Sequence, residues 1–370
     1  MAANLAIAFM GSTLVTPLYV LYQRRFVFSE LTLTLIYAAY VVGNLAALFF
    51  LGRLSDQVGR RRVSLAAIAI ACASTAIFLF ASGTAWLFAG RMVSGLAIGL
   101  ASGTNTAWIA ELTEGRDKAG ASVAASTANM LGLAVGPLVG GVLAQYAPAP
   151  LRLSFCVYLV LLVVMALAIR RARETVERPA RIRHVSLRPR LGVPREIRVS
   201  FVAPGMTAFA TFAMASFYAA LVPSLLVQDL HTSDLTIGGD VVFELFLTAA
   251  LAIILTRHLK SRTAMLSGLG LMMPSLALLI AAQELRSLPL LLVGAAVSGL
   301  AVAMGYRGSL QVVNLIAPAE RRAEVISSYL VACYLGNSLP VIGIGVISRF
   351  TASDTANFVF AVIVALCALA

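Results

Sequence analysis

Residues 30–51, ELTLTLIYAAYVVGNLAALFFL, and residues 63–82, VSLAAIAIACASTAIFLFAS, are two apolar runs separated by GRLSDQVGRRR at 52–62. Each run suffices for a helix crossing a hydrocarbon core of about 30 Å, which takes roughly 20 residues. The segment between them reads as a tight turn. Gly52 and Gly59 supply the backbone freedom, and Asp56 offers a carboxylate to a helix N-terminus or a basic partner. Arg53, Arg60, Arg61 and Arg62 concentrate positive charge there, and Lys/Arg excess marks the cytoplasmic side of a membrane protein. The stretch is therefore a membrane hairpin with a cytoplasmic turn.

The rest of the chain extends that reading. Its 370 residues are 60% hydrophobic and 12% charged, with a mean hydropathy of +0.92. Soluble domains carry about 25% charged residues, so a water-soluble or disordered chain is excluded. Further apolar runs fall at 4–23, 86–109, 120–146 and 151–169, then at 199–227, 235–256, 263–283, 287–312, 323–347 and 355–370. The expected fold is an all-α integral membrane protein of twelve transmembrane helices in two six-helix bundles, 1–169 and 199–370, joined by a basic cytoplasmic linker, 170–198. The last run is short for a crossing, and MAANLAIAFM at the start is read as mature sequence because it lacks a basic n-region.

Charge placement sets the orientation. Arg116, Lys118, Arg257, Lys260, Arg262, Arg321 and Arg322 join the first turn and the central linker on one side, against Arg24, Arg25, Arg152, Arg286 and Arg349 on the other. Both termini are thus expected to be cytoplasmic, in an inner or plasma membrane. The net charge of +12 is topology rather than a nucleic-acid footprint, and anionic lipid can attract the central loop. Cys72, Cys156, Cys333 and Cys367 each sit in an apolar run without C-x-x-C spacing. Phosphate-binding loops and G-x-S-x-G elbows are missing, and His184, His231 and His258 fall in loops without zinc spacing. An enzyme, a cofactor and a metal are all unexpected.

An internal repeat runs at a constant offset of 204. Ser29-Glu30-Leu31-Thr32-Leu33 returns as Ser233-Asp234-Leu235-Thr236-Ile237, Val93-Ser94-Gly95-Leu96-Ala97 returns unchanged at 297–301, and Leu131-Gly132 returns as Leu335-Gly336. Duplicated halves with a midplane substrate site are common in secondary transporters, although a channel or a membrane enzyme can also be duplicated.

The turn at 52–62 closely resembles the G-x-L-[SA]-D-x-x-G-R-[RK] signature of the major facilitator superfamily. That resemblance implies the superfamily's two-bundle fold and a small-molecule substrate. It also implies a cytoplasmic latch built from Gly52, Asp56, Gly59, Arg60 and Arg61, with Asp56 facing the start of the eleventh helix and Arg60 facing Glu111 at the end of the fourth. The second-half counterpart, Arg257 to Arg262, keeps charge but lacks the glycines and the acid. Gly132, Gly136, Pro137, Gly140 and Gly141 resemble the G-x-x-x-G-P-x-x-G-G signature of the antiporter branch, with Val123 where a further glycine is expected. Small residues at i, i+4 and i+8 let helices approach closely, and Pro137 removes a backbone donor.

Candidate site residues follow from depth. Arg91, in a pattern similar to the superfamily's R-x-x-[QS]-G, either faces a polar cavity or snorkels to headgroups about 8 Å away; Arg307 is expected to snorkel. Asp240 and Glu244 share one face of the eighth helix. Glu244 lies ~14 Å from the outer end, where desolvation penalises the charged form and suits an acid that loads and releases a proton; a structural hydrogen bond is the competing reading. Asn44, Asn129, Tyr218 and Asn337, with Tyr40 and Tyr334, are neutral polar groups at depth, serving as interhelical contacts or as a substrate lining. Pro17 and Pro223 are expected to break the first and seventh helices. The first run carries no acid. The expected function is export of a small organic or amphiphilic compound by proton antiport, from a monomer in contact with lipid and without nucleic acid. Import of a sugar, organic acid or other metabolite, and a non-transporting sensor or assembly protein, stay open at this point.

Overall fold

The computed structural model describes residues 1–52, 54–113, 118–176, 191–228, 234–318, 321–350 and 353–369. Arg53 of the signature, Arg116, His184, His231, Ser233 of the repeat and residues 177–190 of the basic linker lie outside the described residues. The described chain is helical, without strands. The helices are α1 Ala2–Thr13, α2 Tyr19–Phe26, α3 Glu30–Ala46 with a π-helical continuation Ala47–Leu51, α4 Leu54–Val58, α5 Arg60–Leu79, α6 Thr84–Leu112, α7 Lys118–Tyr146 and α8 Pro150–Arg170. A 3₁₀ turn, Arg195–Ile197, leads into α9 Arg198–Gln228, followed by α10 Leu235–Leu255, α11 Ser261–Glu284, α12 Leu288–Ile316, α13 Arg322–Ile347 and α14 Ser353–Leu369. Among the described residues, ten helices are long and apolar enough to cross a membrane; Ala2–Thr13 and Phe358–Ala368 are shorter apolar helices.

The first expected span is interrupted. Pro17 has no N–H, and its ring crowds the carbonyl four residues earlier. That residue is Thr13, where α1 stops, and the helix resumes only at Tyr19. Pro223 behaves differently from expectation: α9 runs through both Pro204 and Pro223 to Gln228. Neighbouring helices can compensate a proline's missing donor within a membrane, and α9 is mostly buried against such neighbours.

The chain forms two compact units, Met1–Leu21 with Ala39–Pro189, and Tyr22–Ala38 with Arg190–Ala370. The boundaries between them fall inside α2, inside α3 and at 189/190. In the first unit, α5 packs on α6 and α8, and α1 on α7 and α6. In the second, α12 packs on α11, α10 and α9, and α13 on α9. The sequence repeat reappears in this packing. A methyl group added at Gly132 would strike the backbone of Ala6, and one added at Gly336 would strike the backbone of Phe209. Gly95 lies against the backbone of Tyr40 and Asn44, while Gly299 lies against Leu245 and Thr248. Equivalent glycines therefore seat equivalent helix pairs in each unit, which is why only glycine fits at these close approaches.

A buried polar triad ties three helices of the first unit. Asn4 Nδ2 donates to Ser64 Oγ at 2.9 Å and to Asn105 Oδ1 at 3.0 Å, and Ser64 Oγ donates to Asn105 Oδ1 at 3.1 Å.

Candidate functional site

The signature turn is held by a dense polar cluster. Arg60 begins α5 and is buried, whereas Asp56 is exposed. The guanidinium of Arg60 pairs with Asp56 one helical turn back and donates through Nη1 to Ser55 Oγ at 2.6 Å. Its Nη2 and Nε donate to Glu111 Oε1 at 2.6 and 3.2 Å. Gly59 precedes α5 with φ +114°, a conformation that side-chain-bearing residues rarely adopt. Gly52 closes the π-helical end of α3 with an ordinary helical φ of −57°. The backbone N–H of Arg61 turns toward Glu174, a residue that sequence reasoning left inside the basic linker. Planar guanidinium with several fixed donors suits such a multi-acceptor node better than a lysine.

On α7, Gly132, Gly136 and Gly140 form the expected stripe, and it faces α1. A methyl at Gly136 would meet Thr13 Oγ1, Met10 O and Leu14 N, and one at Gly140 would meet Leu14 O and Pro17 Cδ. The stripe therefore docks on the end of α1 and the broken segment that follows. Thr13 Oγ1 crosses to Leu133 O at 3.1 Å. Gly141 is buried one position off the stripe, and Pro137 lies within an unbroken helix.

Arg91 is 1% exposed and points into the first unit, not toward the α6 terminus. Its Nη1 donates to Ser12 O at 2.8 Å, at the end of α1, and its guanidinium carbon stands 4.8 Å from the Tyr40 ring centroid. This burial combines a cation–π contact with capping of a carbonyl near the helix break. Arg307 donates through Nη2 to Leu259 O at 3.1 Å. Asn44 is buried with its Oδ1 against Gly99, and Asn129 Oδ1 is buried without a hydrogen-bond partner among the described residues.

In the second unit, Asp240 is exposed and Glu244 is half-buried one turn further along α10. Glu244 Oε2 is buried and has no hydrogen-bond partner among the described residues. The Tyr218 hydroxyl, on α9, lies within electrostatic reach of Glu244 and accepts from Ser298 Oγ at 3.4 Å. A second cluster is aromatic. Phe212 meets Tyr306 at 5.4 Å and Tyr334 at 6.4 Å between centroids, both edge-on. Asn337 follows Tyr334 by three positions on α13 and thus shares its face. It is 5% exposed and accepts from Tyr37 OH at 3.5 Å, while its Nδ2 has no partner among the described residues. Glu244, Tyr334 and Asn337 were legible as separate residues, but Phe212 and Tyr306 were not singled out, since isolated aromatics in apolar runs give no pattern.

These features fit a comparison with known proteins. The sequence model of the Major Facilitator Superfamily matches residues 1–339. The chain belongs to the Major Facilitator Superfamily. Its members are transporters rather than enzymes. Multidrug resistance protein 2 of Bacillus subtilis (strain 168) is 25% identical over 144 residues, 39% of this chain and 36% of that protein. The class C tetracycline resistance protein of Escherichia coli is 38% identical over 93 residues, 25% of this chain and 23% of that protein. The chain thus spans about a third or less of the length of these relatives in the matched regions. The crystal structure of a D-xylose–proton symporter has a TM-score of 0.78 at 18% identity, covering 100% of this chain and 95% of that chain. At that identity the likeness is one of fold.

Proposed function

We propose that this superfamily member is a secondary active transporter that exports a small organic or amphiphilic compound in exchange for protons, by alternating access. In this reading the chain has twelve spans in two six-helix bundles, 1–169 and 199–370, joined by a cytoplasmic linker, 170–198. It works as a monomer in the inner or plasma membrane with both termini cytoplasmic.

One observation carries the coupling: Glu244 places a carboxylate oxygen, without a hydrogen-bond partner among the described residues, about 14 Å along α10. A carboxyl group in low dielectric is costly when charged and cheap when protonated, so its occupancy can follow exposure to one side or the other. Tyr218 and Ser298 bond to each other on α9 and α12, the helices that pack against α10, and Asp240 is exposed one turn nearer the start of α10. The ring cluster of Phe212, Tyr306 and Tyr334 with the buried Asn337 amide suits a flat aromatic amphiphile. Asn44, Asn129 and Arg91 are the corresponding substrate-side candidates of the first unit, and the turn at Gly52, Asp56, Gly59, Arg60, Arg61 and Glu111 acts as the cytoplasmic latch. The glycine stripe at 132, 136 and 140, with Pro137 and Gly141, belongs to the antiporter reading, which the resistance proteins among the relatives support.

The test uses the protein in proteoliposomes with an imposed pH gradient and ethidium as probe. Wild-type protein should move ethidium against its gradient. Glu244→Gln should abolish that accumulation while keeping the same unfolding midpoint. Gradient-driven accumulation at the wild-type level in Glu244→Gln would reject the coupling role.

A further inference from the structure

We propose that Glu174 is the positioning residue of the signature turn: its carboxylate caps α5 from across the unit and locks Arg60 into a closed polar circuit. The inference rests on reading that turn as a latch. It begins from an electrostatic mismatch. A helix N-terminus carries partial positive charge and favours anions, yet the first turn of α5 holds Arg60, Arg61 and Arg62 and no acid. The residue before it is Gly59, which has no side chain to serve as a cap. The start of α5 therefore favours an anion supplied from elsewhere.

Glu174, four residues past the end of α8, provides it. Its Oε1 accepts from the Arg60 N–H at 2.9 Å and its Oε2 from the Arg61 N–H at 3.0 Å. The same carboxylate accepts from the N–H groups of Thr175 at 3.0 Å and Val176 at 3.3 Å. It also lies against Gly59, where an added methyl would meet Glu174 Oε2 at 2.7 Å.

The circuit closes through Glu111. The Arg60 guanidinium donates to Glu111, and the Thr175 hydroxyl donates to the other oxygen of the same carboxylate. Glu174, Arg60, Glu111 and Thr175 thus form a ring in which each member contacts the next. Alongside it, the fully buried Trp108 donates its indole N–H to Arg173 O at 3.1 Å. The chain leaving α8, the last turns of α6 and the first turn of α5 are fastened together at this point. Arg60 is held at both ends, its backbone by Glu174 and its side chain by Glu111, Asp56 and Ser55. Its guanidinium geometry consequently depends on a residue 114 positions away.

The experiment is hydrogen exchange on the full-length chain in lipid nanodiscs, comparing wild type, Glu174→Gln, Glu174→Asp and Thr175→Val. Glu174→Gln should speed exchange of the Arg60 and Arg61 amides about tenfold, the size of a lost helix cap. Peptides of α10 should keep wild-type exchange, which establishes that the fold is intact. Glu174→Asp retains the anion on an irregular segment that can shift, and should restore most of the protection. Thr175→Val should loosen the same α5 amides although it does not touch them. In the proteoliposome assay, Glu174→Gln should lower the maximal rate of ethidium efflux several-fold with an unchanged half-saturating concentration. Wild-type exchange at Arg60 and Arg61 in Glu174→Gln, or equal loss in the Asp and Gln variants, overturns the inference. Faster exchange with unaltered efflux supports the cap and refutes the latch reading instead.

Discussion

Gly136→Ala isolates the close approach of α7 to α1. The new methyl would overlap Thr13 Oγ1 and Met10 O and press on Leu14 N. Two of these three atoms are backbone, so rotamer changes cannot relieve the overlap and α1 must move. Overpacking of this kind costs about 1–3 kcal/mol. Moving α1 also breaks the hydrogen bond from Thr13 to Leu133 O, worth about 0.6 kcal/mol on average inside membranes. Alanine regains about 1 kcal/mol of helix propensity over glycine. The net expectation is destabilisation by roughly 0.6–2.6 kcal/mol. The control is built into the molecule. A methyl at Gly103 of α6 or Gly270 of α11 meets nothing within 4 Å among the described residues, so alanine there should stabilise by about 0.5–1 kcal/mol. The two classes of substitution should therefore differ by about 1.1–3.6 kcal/mol, or about 6- to 400-fold in the unfolding equilibrium at 1.4 kcal/mol per tenfold. Denaturant titration in mixed micelles, followed by tryptophan fluorescence, measures both. A Gly136→Ala protein as stable as wild type, or a Gly103→Ala protein as damaged as Gly136→Ala, refutes the packing argument.

Two further measurements address the buried polar groups of the first unit. A double-mutant cycle between Asn4→Ala and Ser64→Ala should give a coupling energy of about 0.6–1.7 kcal/mol, the range for interhelical hydrogen bonds in membranes; additivity would mean the triad does not act as a unit. Arg91→Leu should lower stability by about 1–3 kcal/mol, since it strips the donor from Ser12 O. Arg91→Lys should recover little of it, because bonding to that carbonyl while stacking on Tyr40 is a property of the planar guanidinium. Recovery of wild-type stability by lysine would show that charge alone suffices.

Much of this architecture was legible because it depends on local or periodic features. Apolar length located the ten membrane-capable helices among the described residues, the 204-residue offset paired Gly132 with Gly336 and Gly95 with Gly299, and Pro17 marked the end of α1 four residues ahead of itself. The same rule failed at Pro223, where burial of α9 overrides a local defect. Arg91 shows the next level of difficulty. Its depth was readable, but the choice between an outward and an inward guanidinium rested on a carbonyl at Ser12 and a ring at Tyr40 that only tertiary packing brings near. Glu174 is harder still, since its partners lie 113 and 114 residues earlier and its neighbours in sequence advertise a solvated basic linker.

A signal for Glu174 nonetheless exists in the sequence, in the form of an unmet requirement. Gly59 followed by three arginines is a helix start with no side-chain cap and with the wrong charge for its dipole. Away from water, such a start is stabilised by an acceptor that arrives from another segment. Since Asp56 and Glu111 are taken up by the Arg60 side chain, the backbone of the same residue still calls for an anion, and a carboxylate at the adjacent end of a neighbouring helix can supply it. Reading a helix terminus for what it lacks, as well as for what it contains, turns an arginine-rich turn into a search for its missing acid.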